Sequence, residues 1–100
     1  MEAEIKFERE NRDGVVAVGT YLYDAARRLG VEVECERTGG SDSCAMQVTS
    51  GREFLSELTK AETGQLSEER LKLGERLACQ VKIVKAGEIS VMTKEKVKDE

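Results

Sequence analysis

From Ala3 to Glu8 the chain alternates, with Ile5 and Phe7 set against Glu4, Lys6 and Glu8. That is the period of a half-buried strand. Asn11-Arg12-Asp13-Gly14 follows, and its Asp-Gly pair predicts a tight hairpin turn. Val15 to Val18 is then the return strand. Gly19-Thr20 breaks the alternation, with Thr20 placed to cap a helix. Leu22, Ala25, Ala26 and Leu29 fall at i, i+3, i+4 and i+7, which predicts a helix over Tyr21 to Leu29 with one apolar stripe. Gly30 is a natural stop in the left-handed conformation.

Val31 and Val33 alternate with acids and lead, extended, into Cys35. The pattern resumes after Cys44, with Met46 and Val48 against Gln47 and Thr49, and ends at Ser50-Gly51. Phe54, Leu55 and Leu58 suggest a short helical or irregular turn. A second helix is predicted over Leu66 to Leu73. Ser67 is its cap, and Glu68 and Glu69 lie in the first turn, where the helix dipole favours anions. Gly74 stops it. Arg76 to Ile83 and Glu88 to Met92 read as strands around an Ala86-Gly87 turn. This order predicts an α+β fold, a roll of the β-grasp kind, with a mixed sheet, one main helix and a second short helix. The whole chain, 1–100, reads as one domain with a core over about 3–93 and a charged tail over 94–100.

Charge and cysteine usage narrow the chemistry. The net charge of −4 disfavours nucleic acid, since phosphate binding needs a clustered cationic surface. No apolar stretch reaches the length of a membrane span. The acidic Met1-Glu2-Ala3-Glu4 start is unlike a secretory signal, so a cytoplasmic setting with free thiols is expected. The cysteine count is odd, at three, which argues against a complete internal disulfide set. Histidine is absent. Its absence removes His-based triads and every Cys/His zinc pattern. No carboxylate pair, nucleophile–base pair or phosphate loop stands out, so no enzymatic activity is expected.

Three stretches resemble the plant- and adrenodoxin-type 2Fe–2S ferredoxins, over roughly Ile5 to Met92. "GTYLYDAARRLGV" (Gly19 to Val31) is similar to the family's Gly-x-Thr-Leu-Leu-Asp-Ala-Ala helix. "CAMQVTSG" (Cys44 to Gly51) is similar to the strand after its third cluster ligand. "LSEERLKLGERLACQ" (Leu66 to Gln80) resembles the family's Leu-Ser helix, Gly-x-Arg turn and Leu-Ala-Cys-Gln, and is the most specific of the three. The family's ligand loop reads Cys, five residues, Cys, two residues, Cys. With Cys44 in third place, the first ligand falls on Cys35 and the second on Ser41. Cys79 is the fourth. A second register, with Cys44 at the second position, leaves Thr38 and Gln47 in place of ligands. The first register keeps both Cys35 and the strand alternation.

The resemblance implies a small soluble electron carrier with a 2Fe–2S cluster held by Cys35, Ser41, Cys44 and Cys79. Iron favours soft thiolates, and Gly39 and Gly40 give the loop the conformations that turn backbone N–H groups toward sulfur. A serine oxygen is a harder ligand and implies a more labile cluster of lower potential, with Asp42 as the fallback oxygen donor. Two other readings of "CERTGGSDSC" (Cys35 to Cys44) stay open: a degenerate ferredoxin-like domain without a cluster, serving as a binding or regulatory module, and a zinc or thiol-redox site. The resemblance also implies redox partners, a reductase and an acceptor enzyme. An acidic face of Glu57, Glu62, Glu68 and Glu69 would dock on their basic surfaces.

Overall fold

The structure is a computed structural model and describes residues 1–33 and 44–93. Five strands form one sheet: β1 (Glu2–Phe7), β2 (Arg12–Ala17), β3 (Ala45–Ser50), β4 (Glu75–Leu77) and β5 (Glu88–Thr93). Their order across the sheet is β2-β1-β5-β3-β4. β1 and β5 run parallel, and the other pairs are antiparallel. Among the described residues three short helices accompany the sheet: α1 (Leu22–Arg28), α2 (Lys60–Gln65) and α3 (Glu68–Lys72). A 3₁₀ turn spans Arg52–Phe54. This is the β-grasp arrangement that the pattern predicts.

The alternation along β1 becomes one buried face. Ala3, Ile5 and Phe7 are buried, and Glu4 and Lys6 are exposed. Register carries that face across the sheet, with Phe7 opposite Val91 and Val91 opposite Val48. Leu22, Ala25 and Ala26 of α1 join the same core, with Leu29 packed against it. Each such Val, Leu, Ile or Phe stabilises the fold by about 1.5–3 kcal/mol relative to exposure. With so few aromatics, the core relies on the number of aliphatic side chains.

The hairpin departs from expectation. Its turn is not at Asp13-Gly14 but at Glu8 to Asn11, where Asn11 takes the positive φ (52°) and its N–H donates to the Glu8 carbonyl at 3.2 Å. Asp13 and Gly14 are in β2, paired with Lys6 and Ile5. Gly14 is needed for close approach instead. A Cβ there would stand 2.5 Å from Cδ2 of Leu29, so the gap in the strand seats the end of α1.

Two helix boundaries also shift. Tyr21, not Thr20, is the N-cap of α1, and no side chain caps it. At the other end Gly30 N–H donates to Arg27 O and Val31 N–H to Ala26 O, the paired bonds of a Schellman motif. The second predicted helix is α3, capped by Ser67 as expected. The strand expected over Arg76 to Ile83 ends at Leu77. There the N–H groups of Gln80 and Val81 both donate to the Leu77 carbonyl, at 2.9 and 3.1 Å, and curl the chain into a turn. Only isolated bridges follow, at Lys82 and Ile83.

Candidate metal centre

The pairing of β3 with β4 brings two of the candidate ligands together. Ala45 lies opposite Leu77, and Ala78 N–H donates to the Cys44 carbonyl at 3.1 Å, extending the ladder by one step. Cys44 precedes β3 and Cys79 follows β4, so the two cysteines emerge at the same end of this strand pair. Their Sγ atoms are 3.5 Å apart. Cys44 is buried, Cys79 is half-buried, and neither forms a disulfide.

That separation has chemical meaning. A disulfide requires about 2.05 Å between sulfurs. Two thiolates on one tetrahedral metal, with bonds of about 2.3 Å, stand about 3.8 Å apart by geometry. The observed distance is close to the second value. The pair can therefore serve as two ligands of a single iron with little movement, and its sulfurs fit a thiolate-bound cluster.

The turn that carries Cys79 is held from three directions. The β3 side holds it through Cys44 and Ala78. The start of α1 holds it next, because Tyr23 N–H donates to Ala78 O at 3.0 Å and Leu22 N–H to Val81 O at 3.1 Å. These carbonyls satisfy helix N-terminal donors that a side-chain cap would otherwise take. That explains why α1 dispenses with Thr20 as a cap.

The third hold is Glu62. This carboxylate is fully buried. It accepts from Arg76 Nε at 2.6 Å, Arg76 Nη2 at 2.9 Å and Leu77 N–H at 3.1 Å. It also closes a reciprocal cap with Thr59, each side chain accepting from the other's backbone N–H at 3.2 Å. Glu62 thus ties α2 to β4 two residues before Cys79. The expectation that Glu62 belongs to an exposed acidic face is wrong, because its charge is spent on an interior ion pair. Glu57, Glu68 and Glu69 are exposed. The hydrophobic pattern misses α2 entirely, yet its signal is present as Thr59-x-x-Glu62, the spacing of a capping box.

Cys35 and Ser41 lie outside the described residues, as do Thr38 and Asp42. Gln47, which the second register would need as a ligand, is on β3 and donates through Nε2 to the Leu73 carbonyl at 2.9 Å. Among the described residues no three His, Cys, Asp or Glu side chains converge on a point. No described helix is long and apolar enough to cross a membrane.

The model of the 2Fe-2S iron-sulfur cluster binding domain matches residues 5–84. The chain belongs to this 2Fe-2S family. The family's cofactor is a 2Fe–2S cluster, and Cys44 and Cys79 both fall within the matched span. No curated protein matches the chain in sequence. Among solved structures, pectocin M2 is 20% identical with a TM-score of 0.70, over 93% of this chain and 33% of that one. The ferredoxin reductase in carbazole 1,9a-dioxygenase is 20% identical with a TM-score of 0.75, over 96% of this chain and 29% of that one. The ISC-like 2Fe-2S ferredoxin FdxB from Pseudomonas putida is 19% identical with a TM-score of 0.68, over 97% of this chain and 98% of that one. At such identities these neighbours establish the shared fold. The chain spans about a third of the first two proteins and nearly all of FdxB.

Proposed function

We propose that this protein is a one-electron carrier whose 2Fe–2S cluster is held by Cys35, Ser41, Cys44 and Cys79. The observation that carries the proposal is the Cys44–Cys79 pair, two sulfurs 3.5 Å apart and not joined in a disulfide, within the family's matched span. A bound 2Fe–2S cluster supplies a centre that accepts and returns a single electron. Cys44 anchors the inner side of this site, with its sulfur in the core. Cys79, half-buried, gives the outer side and the short route to a partner. The Cys79 turn is fixed to a strand, a helix and a buried ion pair, so its sulfur is positioned before any metal arrives.

Ser41 supplies the remaining ligand through a deprotonated oxygen, with Asp42 as the fallback. A harder oxygen in a thiolate set makes the cluster more labile and lowers its potential. The partners are a reductase and an acceptor enzyme. The neighbour named as the ferredoxin reductase in carbazole 1,9a-dioxygenase supports this reading, since the same fold forms part of that chain. Glu57, Glu68 and Glu69 provide the acidic docking surface. The absence of a disulfide at Cys44 and Cys79 supports a reducing compartment, and we assign the protein to the cytoplasm on that ground.

The test is a reductive titration of protein prepared without air, followed in the visible range. Bleaching that saturates at one electron per chain is the expected result. A colourless protein that takes up no electrons, while folded by circular dichroism, contradicts the proposal and favours a cluster-free module.

A further inference from the structure

The amide of Gln80 lies against the sulfur of Cys79. Its Nε2 donates to Cys79 Sγ at 3.6 Å, within range for a hydrogen bond to sulfur. The two residues share the turn in which Gln80 N–H is bonded to the Leu77 carbonyl, so the main chain beneath the amide is fixed. Gln80 is only half-buried and needs no sulfur to satisfy it, since water is available to its amide. Among the described residues the second side-chain donor to Cys79 is the thiol of Cys44. That donor disappears once Cys44 becomes a thiolate ligand. The Gln80 amide remains.

We infer that Gln80 is a positioning residue that sets the reduction potential of the centre through Cys79. The inference rests on the assignment of Cys79 as a ligand. Reduction adds one electron and one negative charge to the cluster and its thiolates. No bond forms or breaks, and no proton is required. An N–H aimed at a ligand sulfur stabilises the more negative, reduced state and raises the potential. The amide orientation follows from the same chemistry, because Oε1 facing a thiolate would be repelled. A side chain of equal size without the donor should lower the potential without disturbing the ligands.

The experiment compares wild type, Gln80→Leu and Gln80→Glu by iron content and by potentiometric titration of the visible spectrum. Gln80→Leu should keep two irons per chain and shift the reduction equilibrium about tenfold toward the oxidised form, about 59 mV for one electron. Gln80→Glu, which sets a carboxylate beside the sulfur, should shift it further in the same direction. A Gln80→Leu protein with two irons and an unchanged potential overturns the role of the amide and leaves the carrier assignment standing. If both variants load iron poorly, Gln80 serves assembly rather than potential, and the inference falls. A wild-type protein that binds no iron overturns the ligand assignment itself, and the inference with it.

Discussion

Replacing Glu62 by Gln keeps the side-chain volume and removes its charge. In the native fold this carboxylate is fully buried, and the Arg76 side chain is 12% exposed. Glu62→Gln therefore leaves a nearly buried guanidinium without its counter-charge. It also turns an amide N–H toward donors that the carboxylate had satisfied. Breaking a buried pair on one side costs about 3–5 kcal/mol. Arg76 keeps one bond, from Nη2 to the Glu57 carbonyl at 3.2 Å, which places the expected loss at the lower end. About 3 kcal/mol is a large share of the roughly 5–15 kcal/mol that holds a domain this size. At about 4–8 °C per kcal/mol, Tm should fall by about 12 °C or more.

Denaturant unfolding followed by far-UV circular dichroism, on iron-free protein, measures that loss without any contribution from metal binding. Adding Arg76→Met removes the stranded charge, so the double variant should be less damaged than the sum of the single variants. The iron-loaded Glu62→Gln protein should also lose its cluster faster, because Leu77 is freed two residues before Cys79. A loss below about 1 kcal/mol, the value of an exposed pair, would refute the argument that this pair is interior and holds the Cys79 turn.

Two glycines should respond in opposite directions to alanine. Gly51 has φ of 87°, and a Cβ there would meet Glu88 O at 2.5 Å, so Gly51→Ala should cost about 2–4 kcal/mol in the same unfolding assay. Gly64, inside α2 with nothing within 4 Å of a Cβ, should instead gain about 0.5–1 kcal/mol as Ala. Ser41→Cys should lengthen the half-life of the visible spectrum in air severalfold if residue 41 holds iron, and an unchanged half-life would remove it from the ligand set. Converting Glu57, Glu68 and Glu69 together to Gln should slow electron transfer from a reductase and flatten its dependence on salt, as expected when screened charges steer encounter. A rate equally salt-sensitive in the triple variant would place the docking face elsewhere.

The strands with a buried face were legible because alternation and register describe the same side of a sheet. Ile5, Phe7, Met46, Val48, Ile89 and Val91 all lie where period two puts them. The Asp13-Gly14 pair misled because turn chemistry and close packing both select glycine. Only the presence of Leu29 across the gap separates the two uses. Helix α2 escaped notice because Lys60 to Gln65 has no apolar stripe, and it holds together through a cap and a buried carboxylate instead. Glu62 reads as a surface charge in sequence, and nothing local reveals that Arg76 will cover it. At the centre, the resemblance named Cys44 and Cys79 from separate segments. Their proximity depends on Ala45 pairing with Leu77, a long-range register that spacing along the chain does not encode.

The most direct test of the carrier assignment is the iron and acid-labile sulfide content of protein purified without air. Two irons and two sulfides per chain, both lost from a Cys44→Ala variant that still folds, are the predicted result. A folded wild-type protein with neither, even after anaerobic reconstitution with iron and sulfide, would contradict the account.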